Sequence, residues 1–222
     1  MKIRSKSNNA HIINNYRLFI LIGILLFSVA TGLLIRGFVR EDRLVVDVAV
    51  SEEAMLIVEG ARAEVENKTW YRSGYYQGGY PPDDEGVCTD VVWRALKNAN
   101  YNLKSRMAMD IRNNVGEYAR VDKPDPNIDF RRVPNQMTYF LRNEESLTSE
   151  IIPGDMESVK EWQAGDIVII SKPQHVGIIS DKRNNEGVPY VIHNMGPYPR
   201  EEDVLFKWKN KIEGHFRIKD IN

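Results

Sequence analysis

Residues 18–35, LFILIGILLFSVATGLLI, carry no charged side chain and are closed by Arg17 on one side and Arg36 on the other. As a helix rising about 1.5 Å per residue this run is about 27 Å long, just enough to cross the hydrocarbon core of a bilayer. Ahead of it stand Lys2, Arg4, Lys6 and Arg17 with no acidic residue, a bias that holds the N-terminus in the cytoplasm and carries the rest of the chain across the membrane. Ser28-Val29-Ala30 offers a small-residue cleavage signal, yet the apolar run continues past it to Ile35, so an uncleaved signal-anchor is expected rather than a removed signal peptide; cleavage would make the domain secreted. The expected organisation is a basic cytoplasmic tail over residues 1–17, a transmembrane helix over 18–36, a linker over 37–50, and one folded domain over 51–222.

About 180 residues remain after the apolar run, enough for one domain with a sizeable core and too few for two comfortable ones. The formal net charge is -1, and Lys and Arg outside the N-terminus are interspersed with Asp and Glu, so no nucleic-acid footprint is present. Cys88 is the single cysteine. On the exported side it cannot form a disulfide within the chain, and it is a free thiol, an intermolecular partner or a nucleophile.

Ser51 followed by Glu52 and Glu53 starts a helix, with a hydroxyl cap and acids against the positive helix end; it is expected to run to about Lys68 with Ala54, Ile57, Val58, Ala61 and Val65 as its apolar stripe. A loop follows in which Trp70, Tyr71, Tyr75, Tyr76 and Tyr80 are interleaved with Gly74, Gly78 and Gly79, suited either to lining a groove or to folding back over the core. Gly86-Val87-Cys88-Thr89-Asp90 then leads into an amphipathic helix. Residues 113–163 contain Pro124, Pro126, Pro134 and Pro153, and only 135–142 reads as helix. From Gly165-Asp166 onward the pattern is sheet: 167–170, 175–180, a reversal at Asn184-Asn185-Glu186-Gly187, 188–193, an apolar alternation at 205–208 and a last strand over 214–218. Helices first and an antiparallel meander after define an α+β domain.

A cysteine in the first turn of a helix has its thiolate stabilised by free backbone N–H groups and the positive helix end, and the same groups can face an oxyanion. The face shared by Cys88, Val92, Ala95 and Ala99 is also what a core cysteine would show. His175 opens one strand and His193 ends the next, so a regular hairpin brings these ends to one edge of the sheet. His175 is then the candidate base, and His193 or Asn194 the residue that orients it, the choice depending on register. A hairpin centred on Asn185 and Glu186 does not set His175 opposite His193 without a bulge. Asp90 suits either the helix terminus or a contact with substrate, Asp110 a structural acceptor, and Arg131 and Arg132 either an ion pair or a carboxylate site. His215 reads as packing or surface. Short ligand spacings for zinc are absent, and neither metal nor cofactor is expected.

Taken in order, Gly86-Val87-Cys88-Thr89-Asp90, Gly165-Asp166-Ile167-Val168-Ile169, His175-Val176-Gly177-Ile178 and Val191-Ile192-His193-Asn194 resemble the NlpC-type cysteine amidohydrolases, papain-like bacterial enzymes that mostly cut peptide or amide bonds of peptidoglycan. More narrowly, Gly78-Gly79-Tyr80-Pro81-Pro82, Met109-Asp110 and Asp129-Phe130-Arg131-Arg132-Val133-Pro134-Asn135 resemble a bacterial family within that superfamily, domain-of-unknown-function family 1287. The resemblance covers roughly residues 51–218. It implies a papain-like α+β fold with helices packed on an antiparallel sheet, and Cys88 as nucleophile, His175 as base and His193 as orienting residue. Together with the apolar run over residues 18–35, which lies outside the resemblance, it points to a membrane-anchored hydrolase outside the cytoplasm, with peptidoglycan or another peptide or amide as substrate. The same site would serve an acyltransferase if an amine or alcohol replaced water, and a non-catalytic wall-binding module would use the aromatic loop with Cys88 as core. The chain departs from the superfamily's usual Asp-Cys-Ser-Gly at the nucleophile, reading Val87-Cys88-Thr89-Asp90.

Overall fold

The computed structural model describes residues 44–219. The expected tail and transmembrane helix lie outside these residues; no helix among the described residues is long and apolar enough to cross a membrane. Residues 44–50 have no regular secondary structure, but Leu44 and Val46 pack against buried apolar residues of the domain.

Helix α1 (Glu52–Glu66) begins where the Ser51 hydroxyl accepts the Ala54 N–H at 3.1 Å, and it buries Ile57, Val58 and Ala61. Strand β1 (Trp70–Tyr71) and strand β2 (Glu85–Gly86) form a short parallel pair at either end of the aromatic loop. Helix α2 (Cys88–Asn98) follows at once, its first turn closed by the Asp90 carboxylate, which accepts the Val87 N–H at 2.8 Å. Helices α1 and α2 approach closely because Gly60 has no side chain: a Cβ there would lie 2.9 Å from Ala95 Cα. Helices α3 (Leu103–Asn113), α4 (Val133–Asn143) and α5 (Met156–Glu161) complete the helical part. Helix α4 carries Pro134 in its first turn, where a missing N–H costs nothing.

The main sheet contains β3 (Glu145–Ser146), β4 (Ile167–Ile170), β5 (His175–Arg183), β6 (Pro189–His193), β7 (Arg200–Glu202) and β8 (Ile212–Arg217). Its order is β3-β8-β4-β5-β6-β7, with every neighbouring pair antiparallel. Strict alternation sorts the central strands into two buried faces. Ile167, Ile169, Val176, Ile178, Ile192 and Phe216 join the core beneath α1 and α2. Val168, Ile170, Ile179 and Val191 join a second core with Trp162, Leu205 and Trp208. The expected alternation at residues 205–208 is instead the entry to a 3-10 helix, Phe206–Lys211, that lays Trp208 over that second face.

The Gly165-Asp166 turn is a scaffold. Gly165 has φ +84° and would place a Cβ 3.0 Å from Ala54 O, so only glycine serves both the turn and the approach of α1. Asp166 is buried; it accepts from Gln163 N–H at 2.8 Å, lies 2.9 Å from His215 Nε2, and receives Arg217 Nε and Nη2 at 2.8 Å each. His215, buried and stacked on Trp162 with ring centroids 3.7 Å apart, thereby joins the last strand to the turn.

Candidate active site

The position of Cys88 is set by what surrounds the start of α2. The Asp90 carboxylate is wholly buried, accepts the Trp93 indole N–H at 2.8 Å, and is gripped by Arg131 through Nε at 2.6 Å and Nη2 at 2.8 Å. Arg131 also donates to Gly74 O at 2.7 Å, tying the aromatic loop to the same point. The Thr89 hydroxyl donates to Arg131 O at 3.1 Å. Asp90 and Arg131 are therefore the buried clamp that fixes the cysteine's turn.

Cys88 is buried, and its thiol is within reach of the backbone N–H groups of Val176 and Thr89. Burial pushes the thiol up to about 11, while those N–H groups work in the opposite direction by favouring the thiolate. The phenol of Tyr71 on β1 is pushed up from its ordinary value chiefly by partial burial, and then by the charge a Cys88 thiolate would carry nearby.

Register places the histidines. Ile178 pairs with Ile192 and Ile179 with Val191, whereas Arg183 pairs with Pro189, so a bulge separates the turn from the functional end of the hairpin. Continued past Ile178, this register sets Gly177 against His193 and leaves His175 as its diagonal neighbour. A Cβ on Gly177 would come 2.6 Å from Val191 Cγ1 and 3.2 Å from His193 Cβ; the glycine lets β5 and β6 approach here. The two imidazoles meet edge to face with centroids 5.0 Å apart, and Trp208 closes against both, at 5.7 Å from His175 and 4.9 Å from His193. Val176 and Ile178 point to the helices, so His175 takes the opposite face of β5, and the thiol reaches Val176 from the helix side. The thiol therefore lies on the helix side of the start of β5, and His175 opens the same strand on its other face.

Among the described residues, His175 Nε2 and both ring nitrogens of His193 are buried without a hydrogen-bond partner. Buried polar atoms are rarely left in this state, and each costs about 1–3 kcal/mol of desolvation. Burial and then the neighbouring His193 charge press His175 down to about 3; burial presses His193 to about 4, with the Glu202 carboxylate pulling the other way. Glu202 Oε2 lies 3.5 Å from His193 Nε2, beyond the length of a well-formed hydrogen bond. Burial thus favours the neutral form of the thiol and of both imidazoles.

His193, not Asn194, makes the contact with His175. Asn194 is occupied elsewhere, with Nδ2 3.4 Å from both Thr69 O and Gly86 O and Oδ1 accepting Gly196 N–H at 2.9 Å, which fastens β1 and β2 beside the site. Asp110 is a structural acceptor for Tyr118, Arg142 and Asn114. Sequence reasoning missed Glu202 and Trp208, which reach the histidines from the edge strand and the 3-10 helix. No group of three or more His, Cys, Asp or Glu side chains among the described residues is arranged to hold a metal ion.

Fold and site together define a mixed α+β domain whose helices cover an antiparallel sheet, with its lone cysteine by the Val176 N–H and its paired histidines at the same end of β5. Residues 58–218 match the family model described as a domain of unknown function, DUF1287, and the chain belongs to that family. It is similar to "Uncharacterized protein YijF" of Escherichia coli (strain K12), with 38% identity over 173 residues, covering 73% of this chain and 80% of YijF.

Proposed function

We propose that this protein is a membrane-anchored thiol amidohydrolase of papain-like, NlpC type, acting outside the cytoplasm on an amide bond of peptidoglycan. The observation that carries this reading is a thiol at a helix start within reach of the N–H of Val176, the residue after His175, while His175 abuts His193 and His175 Nε2 and both His193 ring nitrogens are buried with no partner among the described residues. A purely structural core has no reason to keep such nitrogens, whereas a base awaiting a proton does.

In this reading His175 takes the proton of the Cys88 thiol as the sulfur attacks the amide carbonyl carbon. Because burial disfavours both the thiolate and the imidazolium, proton transfer accompanies attack instead of preceding it. Backbone N–H groups at the start of α2 hold the oxyanion. The His175 imidazolium then returns the proton to the leaving nitrogen, the C–N bond breaks, and an amine departs from a Cys88 thioester. Water attacks the thioester with His175 again as base, releasing a carboxylic acid and the free thiol. His193 holds the His175 ring from its edge. Residues 18–36 supply the anchor.

The test is mass spectrometry of purified peptidoglycan incubated with the full chain, with Cys88→Ala and with His175→Ala. New muropeptides from the first alone support the reading. No new products from the folded wild-type chain, or equal products from Cys88→Ala, oppose it.

A further inference from the structure

We propose that an open cleft bordering Gln174 is a carboxylate subsite of the Cys88 site, so that the substrate is an amide with a free carboxylate close to the scissile bond. This rests on the thiol amidohydrolase reading. The cleft encloses about 750 Å³, and its lining includes Arg120, Lys123 and Arg132 with Asp122, Pro134 and Gln174. Three cations stand against Asp122 in the lining and Asp129 behind Arg132, a local excess of one positive charge in a chain whose net charge is -1, and a concave wall concentrates that field where a ligand would enter.

The cations are available. Among the described residues, the side chains of Arg120 and Lys123 make no hydrogen bond or ion pair. Arg132 uses only Nη1, donating to Arg120 O at 3.0 Å and Asp129 Oδ1 at 3.2 Å, which leaves Nε and Nη2 for a ligand. A guanidinium with two open donors suits a carboxylate.

Placement links the cleft to the chemistry from both sides. Arg132 directly follows Arg131, whose carbonyl holds the Thr89 hydroxyl next to Cys88. Gln174 directly precedes His175. A substrate bound with its carboxylate among these cations lies beside the residues that carry nucleophile and base. A merely solvated charged face need not border the site.

The test compares muropeptides bearing free carboxylates with the same muropeptides converted to carboxamides, using the full chain and its R120Q/K123Q/R132Q variant. All three substituted side chains are exposed, and because Arg132 also pairs with the buried Asp129, a urea midpoint close to that of the wild type shows that the variant keeps its fold. For the wild type, kcat/KM is expected to favour the free carboxylates by about tenfold or more, chiefly through KM, as charged hydrogen bonds would give. The preference should shrink with added salt and fall to near unity in the variant. Binding to the Cys88→Ala chain should show the same preference in Kd. Equal turnover of both substrates by the wild type, or a preference that survives in the variant, overturns the subsite while leaving thiol catalysis standing. Failure of the wild type to cleave either, with no binding by Cys88→Ala, overturns the functional reading and the subsite with it.

Discussion

Replacing Asp90 by alanine should cost about 4 kcal/mol of stability. Both oxygens of this carboxylate receive Arg131, whose side chain is 2% exposed against 0% for Asp90. Removing one member of so buried a pair leaves an uncompensated charge and typically costs about 3–5 kcal/mol. The freed Val87 N–H and Trp93 indole add smaller penalties, which overlap with the first and do not simply sum. Against a total stability of about 5–15 kcal/mol, Asp90→Ala should therefore be close to unfolding at room temperature. Urea denaturation of the detergent-solubilised chain, followed by tryptophan fluorescence, measures the loss. The double variant D90L/R131M removes both charges with similar volume and should recover most of it. A loss under about 1 kcal/mol for Asp90→Ala, or a double variant no better than the single, would refute the reasoning.

Other expectations follow from the same geometry. His175 and His193, held to about 3 and about 4 in the fold, titrate near 6.5 once unfolded; their contribution is complete above that value and is lost as pH falls toward the folded values. At pH 5 each should cost about 2 kcal/mol, and urea midpoints should fall less between pH 7.5 and 5 in H175Q/H193Q than in the wild type. Gly177→Ala puts a methyl 2.6 Å from Val191 Cγ1 and should destabilise by about 1–3 kcal/mol while displacing His193, seen as a lowered melting temperature and a larger proportional loss of kcat. Glu202→Gln removes the carboxylate that raises the proton affinity of His193; the acid limb of the pH–rate profile should move to lower pH while the urea midpoint changes little.

Much of the architecture was legible because the central strands obey simple periodicity. Ile167–Ile170 was read with its observed bounds, and the apolar runs of β5 and β6 marked their strands. Register was not legible, because the bulge between Ile179 and Arg183 lies in residues whose composition looks like ordinary strand and turn. The edge strands were missed for a physical reason: Glu145–Ser146 and Arg200–Glu202 are short, polar pieces that form sheet only because a neighbouring strand offers its hydrogen bonds. With β7 unseen, Glu202 could not be placed beside His193. The parallel pair of Trp70–Tyr71 with Glu85–Gly86 was likewise hidden, since its partners are separated by a loop rich in glycine and tyrosine. Cys88, His175 and His193 stood out by residue type and position at element ends. The clamp of Arg131 on Asp90 spans 41 residues of sequence, and no local signal carries such a pairing.

The most direct test of covalent thiol catalysis is rapid-quench intact-mass spectrometry of the full chain mixed with purified muropeptides. The account predicts a transient acyl adduct mapping to Cys88, discharged by hydroxylamine as a thioester is and absent from Cys88→Ala. Substrate consumption with Cys88 unmodified throughout, persisting in Cys88→Ala, would contradict it.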